Sequence, residues 1–310
     1  MKSPTASLKG LLLALAVTAS TMTWSQQTDS QQQRGPWVKG LAGGTVQQLA
    51  TNLDTGDGNV SVSRFFIQPS LGYAWDRRTS ISLSLGAGLS DYDFSNGAKV
   101  GGSKPWGTIH DFSVSLPTRF SPVEPATVIV IPSVRSYVEQ GASLDDGRTE
   151  GIIAAAGWKF SESLTLGPGF GWFSELGGGT NAFPIILVDW QITDKLSLTT
   201  GRGLAASQGP GLTLNYALDD NWQMGLSGRV EKTRFALDRD AALPEGFGED
   251  KSLPLLLTVS YSPWPGTRFT ALVGAEFEGS LSQEDAGGKV IARSDLDTAA
   301  VIGLTFSSRL

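Results

Sequence analysis

The chain has 310 residues, no cysteine, a single histidine and few charged side chains. Without cysteine it has neither a disulfide framework nor a thiolate metal site. A lone His110 also cannot form a histidine-rich metal site. Charged residues make up 17% of the chain, and its net charge of −6 and scattered basic residues are unlike those of nucleic-acid-binding proteins. The sequence therefore predicts no metal, no other cofactor and no nucleic-acid partner.

Long hydrophobic runs are also lacking. No segment beyond the N-terminus reaches the roughly 18 consecutive apolar residues of a transmembrane helix. At the N-terminus, Lys2 and Lys9 precede a short apolar core, Leu11 to Val17, and a run of serine and threonine follows. This layout is typical of a secretory signal peptide. We expect a signal peptide over residues 1–25, with cleavage near Ser25 and an exported mature chain.

The stretch from Leu71 to Leu89 shows a pattern that returns along the chain. Its second half alternates isoleucine and leucine with serine and glycine, so one face is apolar and the other is small and polar. Tyr73 and Trp75 lead into the short polar break Asp76 to Thr79. The apolar face continues for about the length that a tilted strand needs to cross a bilayer. The pattern predicts one hairpin of a transmembrane β-barrel.

Five further stretches repeat this unit, with an aromatic residue before a short polar turn. Longer stretches rich in glycine and acids separate the hairpins, and they include residues 51–60, 96–107, 141–149, 177–181, 238–251 and 283–293. Outer-membrane barrels have short periplasmic turns and longer external loops. Residues 37–310 are therefore predicted to form an all-β, antiparallel, up-and-down barrel of about 14 strands, with 12 to 16 as the range. Residues 26–36 would be a polar periplasmic tail.

The polar face distinguishes a barrel from a soluble two-sheet domain. The outward faces of a soluble sandwich carry many lysines and glutamates. Here the non-apolar face consists mainly of serine, threonine, glycine and glutamine with isolated charges. We expect the apolar face to contact lipid, and closure of the barrel to remove strand edges that hydrocarbon could not satisfy. A soluble propeller or lectin-like sandwich remains the alternative.

The C-terminal stretch TAAVIGLTFSSRL places Ile302, Leu304 and Phe306 on one face. In this alternation it resembles the outer-membrane β-barrel proteins of Gram-negative-type bacteria, whose final strand usually ends on an aromatic residue that the assembly machinery reads. This chain ends on Leu310 instead. The stretch Gly209 to Leu237 is similar to a hairpin of uncharacterised outer-membrane barrel families. The resemblance implies a bacterial outer-membrane location, with lipid, lipopolysaccharide and the barrel-assembly machinery as partners.

Inward-facing residues set selectivity in such barrels. On the predicted inner face, acids and bases occur in similar numbers. They would either pair across a crowded interior or form a charged constriction for a small polar solute, and the width of a barrel of about 14 strands allows both. The candidate lumen-lining residues are Arg64, Gln68, Asp111, Arg119, Lys159, Asp189, Arg229 and Glu231, and alternation also turns Glu175, Gln191 and the glycines Gly167, Gly169 and Gly171 inward.

An enzyme is not predicted. Hydrolases of the outer membrane need a histidine that activates a hydroxyl or a water molecule. Alternation places His110 on the lipid-facing side with Phe112, whereas Asp111 points the other way.

Two functions fit this pattern. The first is a passive channel or transporter for small solutes, and the alternative is a structural or surface-interaction barrel whose external loops bind a partner. A carrier of apolar molecules is a further possibility within the first class. No apolar stripe is apparent on the predicted inner face, so the sequence does not favour it.

The predicted signal peptide can be tested directly. We expect the N-terminus of the protein purified from bacterial membranes to lie near Gln26, because the small residue Ser25 follows the apolar core at the usual distance. Intact mass and N-terminal sequencing would measure this. A mature chain that retained Lys2 and Lys9 would contradict the prediction.

Overall fold

The computed structural model describes residues 36–54, 56, 58–100, 105–201, 211–239 and 245–309. The predicted signal peptide and the predicted tail, apart from Pro36, lie outside these residues. Within them, no helix has the length and apolar character needed to cross a membrane.

The stretches in which apolar and polar residues alternate form β-strands, and these strands form one antiparallel sheet that closes on itself. Its segments are β1 (Trp37–Asn52), β2 (Asn59–Ala74), β3 (Ser80–Ser95), β4 (Thr108–Ser115), β5 (Thr118–Phe120), β6 (Ala126–Glu139), β7 (Arg148–Lys159), β8 (Leu164–Ser174), β9 (Thr180–Gln191), β10 (Leu196–Gly201), β11 (Gly211–Ala217), β12 (Trp222–Arg229), β13 (Glu231–Ala236), β14 (Phe247–Trp264), β15 (Thr267–Glu284), β16 (Val290–Asp295) and β17 (Ala299–Arg309).

Three strands of the barrel are interrupted. β4 and β5 are separated at Leu116 and Pro117, β12 and β13 at Val230, and β16 and β17 by residues 296–298. Each pair continues one course through the wall, so the described segments form 14 strands. β1 closes the barrel by pairing with β17, from Gly40 opposite Arg309 to Gln48 opposite Val301. The predicted all-β up-and-down barrel of about 14 strands is confirmed.

The apolar face of the strands points outward. In the hairpin β2–β3, Phe65, Ile67 and Leu71 are exposed, as are Leu83 and Leu85 on the neighbouring strand. Exposed aliphatic side chains are unfavourable in water but suit contact with lipid. The aromatic residues near the short turns are also exposed on the outer face, as expected for a belt at a membrane interface; they are Trp75, Trp158, Trp190, Tyr216, Trp222, Tyr261 and Trp264.

The short turns use side-chain acceptors to satisfy backbone donors. Asp76 Oδ1 accepts hydrogen bonds from the backbone N–H groups of Arg78 and Thr79, at 2.6 and 2.7 Å. These bonds favour the carboxylate and hold the pKa of Asp76 below its usual range. Asp219 repeats the arrangement toward Asn221 and Trp222, at 2.8 Å each. The aspartates thus fix the turns locally. We call this side of the barrel the short-turn end and the opposite side the loop end.

Two stretches that the sequence predicts as external loops are in part strand. β14 begins at Phe247, within the predicted loop 238–251, and β15 runs on to Glu284 before β16 begins at Val290. Their polar and acidic residues do not interrupt the ladder because the strands continue past the apolar band, where side chains on both faces can be polar. This correction moves Asp250 from a loop to a strand at the barrel interior.

The inward glycines of β8 provide a test of packing in the wall. A methyl group added at Gly167 would fall on the backbone oxygen of Ala156, which cannot move aside as a side chain could. At Gly228, by contrast, the nearest atom to an added methyl group is Leu255 Cδ1 at 3.6 Å, an ordinary contact. We therefore expect Gly167→Ala to destabilise the barrel by about 1–3 kcal/mol and Gly228→Ala to leave it unchanged. Urea unfolding in detergent, and the migration of unheated protein on gels, would measure both. Equal stability of the two variants would contradict the prediction.

Candidate functional site

The inner surface at the short-turn end carries small polar side chains. They face away from the exposed apolar set, so the alternation in sequence places them inside the barrel. Gln68, on β2, donates a hydrogen bond from Nε2 to Ser84 Oγ at 2.8 Å. Similar hydroxyl contacts join Ser260 to Thr270 at 2.8 Å. This part of the interior is therefore hydrophilic and made of short side chains.

At the loop end, a connecting segment folds into the barrel. Trp106 belongs to the connection between β3 and β4, and its side chain is buried. Its ring contacts those of Tyr92, Phe94 and Phe235, with centroids 5.6, 5.7 and 4.9 Å away and edge-to-face geometry. Such pairs stabilise beyond the area they bury. We call Tyr92, Phe94, Trp106 and Phe235 the aromatic plug.

Hydrogen bonds anchor this segment. Gln283 of β15 is buried and donates from Nε2 to the backbone oxygen of Pro105 at 3.1 Å. Glu139, at the end of β6, accepts from the backbone N–H of Gly107 at 2.8 Å and from that of Asp238 at 3.0 Å. The segment that carries Trp106 is thus held to β6 and β15 from inside the barrel.

The aromatic plug is part of a larger apolar interior that the sequence did not suggest. Aliphatic side chains of β2, β4 and β15 surround it, and residues of the connections complete it. The expectation that the inner face lacks an apolar stripe is wrong at the loop end. It fails there because several members come from segments predicted as loops. The buried members are Leu53, Val60, Val62, Tyr92, Ala98, Val100, Trp106, Ile109, Tyr137, Phe235, Leu237 and Leu281.

At the loop end β13 stays paired with β14, from Glu231 opposite Ser252 to Ala236 opposite Phe247, and its end also contacts β6. Beyond Arg229, the described residues of β11 no longer pair with this strand, and Ala236 instead forms a parallel bridge to Val138 of β6. One face of β13 presents Phe235 to the aromatic plug. On its other face, Lys232 and Arg234 form ion pairs with Glu175, each at 3.4 Å.

Below the plug, charged groups from distant strands meet. Arg64 of β2 lies 3.1 Å from Asp250 of β14 and 3.4 Å from Glu276 of β15. Tyr92 donates its hydroxyl to the same Asp250 at 2.7 Å, which links this group to the aromatic plug. Because two strands lie between β2 and β15 around the wall, and three between β2 and β14, these contacts cross the interior.

A second pair completes this group. Arg229 Nε lies 2.6 Å from Glu231 Oε1, and both residues line the same cavity as Arg64 and Glu276. That cavity has a volume of about 20 Å³, enough for about one water molecule. We call Arg64, Arg229, Glu231, Asp250 and Glu276 the ionic network; the Tyr92 hydroxyl joins it to the aromatic plug.

The candidate lumen-lining residues fall into several groups. Arg64, Arg229 and Glu231 belong to the ionic network. Arg119 interacts electrostatically with Asp189, and Asp111 with Arg135. The remaining ones lie nearer the short-turn end. Gln68 donates a hydrogen bond to Ser84 there. Lys159 and Gln191 are exposed, and the backbone N–H of Lys159 donates to the backbone oxygen of Pro125.

Three participants were missed from the sequence. Asp250 was assigned to a loop, and Tyr92 and Glu276 were not singled out. Alternation alone could have placed Glu276 inward, since it shares a face with Leu272 and Gly274 opposite the exposed Val273.

The inward glycines of β8 allow close packing within the wall, and Gly171 gives room to a neighbouring ring. The ring of Phe183 on β9 occupies the space that a side chain at Gly171 would need. Phe183 stacks on Phe173 with centroids 6.2 Å apart, and the guanidinium of Arg135 lies 5.3 Å from the centre of the Phe173 ring. Close packing explains this glycine.

His110 lies in β4 between Leu89 of β3 and Val138 of β6. It is two residues from the exposed Phe112 and therefore on the same strand face. That the protein is not an enzyme stays a prediction.

Comparisons with known proteins show which solved structures share this architecture. No protein-family model matches the chain, and no characterised protein sequence shows significant similarity to it. An outer membrane channel from Pseudomonas putida F1 superposes with a TM-score of 0.51 at 10% identity, covering 92% of this chain and 100% of that one. A Pseudomonas aeruginosa FadL homologue superposes with a TM-score of 0.47 at 12% identity, covering 88% of this chain and 90% of that one. The P. putida toluene transporter TodX superposes with a TM-score of 0.39 at 9% identity, covering 89% of this chain and 90% of that one. The chain thus has the fold of outer-membrane β-barrels.

The ionic network predicts a specific stability change. Arg64→Met leaves Asp250 and Glu276 without their shared cation, and breaking a buried pair in this way costs about 3–5 kcal/mol. Neutralising both acids as Asp250→Asn and Glu276→Gln in the same chain should restore much of that loss. Urea unfolding of the single and triple variants would measure the difference. A single variant as stable as the wild type would contradict the prediction.

Proposed function

We propose that the protein is an outer-membrane channel for small solutes, whose loop end is closed in the conformation described above. A barrel of eight strands is filled by its own wall side chains, whereas about sixteen leave an aqueous channel. With 14 strands, the wall alone does not close the interior. The observation that carries the proposal is that the loop end is obstructed by a connecting segment with Trp106, which belongs to no strand of the wall and packs against Phe235 of β13.

The inner surfaces suggest what such a channel would pass. At the loop end a solute meets aromatic and aliphatic side chains, and at the short-turn end it meets hydroxyls and amides. The interior therefore favours a small solute with apolar parts over a strongly hydrated ion. The candidate lumen-lining residues Arg64, Asp111, Arg119, Asp189, Arg229 and Glu231 would line its path.

The location follows the same proposal. The fold supports insertion in a bacterial outer membrane after cleavage of the signal peptide, with the barrel-assembly machinery as a transient partner and lipopolysaccharide around the loop end. The similar fold of an outer membrane channel from P. putida supports the class of function and leaves the cargo open. A barrel that only binds partners through its external loops is the competing function, and the next experiment separates the two.

Removal of the Trp106 indole should open the interior. In Trp106→Ala the aromatic plug loses its central ring, so we expect the single-channel conductance of the refolded protein in planar bilayers to rise severalfold. Gln283→Ala keeps the indole but removes the bond to Pro105, and should raise conductance less.

Trp75→Ala is the matched control, because Trp75 is exposed on the outer face beside a short turn. It should conduct like the wild type. Each protein is first shown to be folded by the migration of unheated samples on gels. Folded barrels that remain silent in all four forms would overturn the channel and leave a structural or partner-binding barrel.

A further inference from the structure

Arg268 differs from the other arginines inside the barrel. It is the second residue of β15, and it shares a strand face with Thr270, Leu272 and Glu276, opposite the exposed Phe269 and Val273. The pairing of β15 with β17 is regular here, with Arg268 opposite Ser307. Its side chain therefore points inward, close to the short-turn end.

The interior arginines near the loop end are neutralised by acids. Arg64 has Asp250 and Glu276, and Arg229 has Glu231. Closer to the middle, Arg119 and Arg135 interact with acids as well. Arg268, by contrast, is partly buried and has no hydrogen bond or ion pair with any other described residue. A partly buried cation without a counter-charge is costly unless something binds it.

The surroundings of Arg268 supply donors. On the neighbouring strands, Ser307 of β17 lies opposite Arg268, Ala42 of β1 lies opposite Ser307, and Gln68 of β2 lies opposite Ala42. This row contains a hydroxyl and an amide and no acid, and Ala42 takes little space. Glu276 lies eight residues further along β15, on the order of 26 Å away. That exceeds the screening distance of about 8 Å at physiological ionic strength.

We propose that Arg268 and the Ser307 hydroxyl form a subsite for a small anion at the short-turn end of the lumen, suited to a carboxylate or phosphate group. A guanidinium offers two parallel N–H donors to such groups, and the hydroxyl offers a third donor from the adjacent strand. The subsite rests on the proposed function, because its anion must enter the lumen. It adds a preference for negative charge at this end that the ionic network does not provide.

A charge-sensitive thiol can test the subsite without knowledge of the cargo. The chain has no cysteine, so Ser307→Cys introduces a single reactive group beside Arg268. Its modification rates by an anionic methanethiosulfonate (sulfonatoethyl) and a cationic one (trimethylammonioethyl) are measured on the folded, full-length barrel. The ratio of the two rates cancels changes in thiol reactivity and reports local charge.

We expect the anionic reagent to be favoured in Ser307→Cys, and Arg268→Gln in that background to lower the anionic-to-cationic ratio about fivefold or more, as expected for removal of a nearby unit charge. Arg268→Lys should preserve most of the ratio because it keeps the charge. Lys39→Gln is the matched control: it removes the same charge from an exposed, outward-facing residue of β1 near this height, and should leave the ratio unchanged.

An unchanged ratio in Arg268→Gln would overturn the subsite, and so would a thiol that neither reagent reaches until the barrel is unfolded. Either result leaves the proposed channel standing, because conductance is read separately. Conversely, silent folded barrels in the Trp106→Ala experiment would overturn the channel, whereas the rate ratio at residue 307 would still report whether anions concentrate beside Arg268.

Discussion

The structure depends on one constraint, which is that backbone N–H and C=O groups in hydrocarbon must find partners within the protein. The pairing of β1 with β17 meets it, since it removes the last free edges of the sheet. Alternating side chains follow from the same requirement, because a closed sheet has one face toward lipid and one toward the interior. Closure by backbone pairing also fixes the diameter before any interior side chain is placed.

An interior of fixed width must be filled or left to water. This barrel packs into its loop end the segment carrying Trp106, which does not belong to the wall, against the inward side chain of Phe235 on β13. Charges then meet in the remaining space, and Arg64 is held by acids from β14 and β15. The short-turn end has hydroxyl and amide side chains on its inner face, with Arg268 among them. The two ends thus differ in how readily they could admit a solute.

Alternation predicted the fold because it reports directly which face a residue takes. The exposed Ile81 to Leu89 stripe, the aspartate turns and the strand number all follow from local sequence. Contacts across the interior do not, since Arg64 and Glu276 are 212 positions apart and nothing local marks them as partners. Composition was misleading at Asp250, where an acidic, glycine-rich stretch continued as strand. The sequence also did not predict that Trp106 is buried, because a residue in a connection has no alternation to show that it folds inward.

Glu139 connects two parts of the chain at the loop end. Its carboxylate accepts one backbone N–H from Gly107, beside Trp106, and one from Asp238, just beyond β13. Withdrawal of the segment that carries Trp106 would break one of these two bonds and uncover the ring of Phe235 on β13. One carboxylate at the rim therefore couples the segment that carries Trp106 to the end of β13, although the two belong to distant parts of the chain.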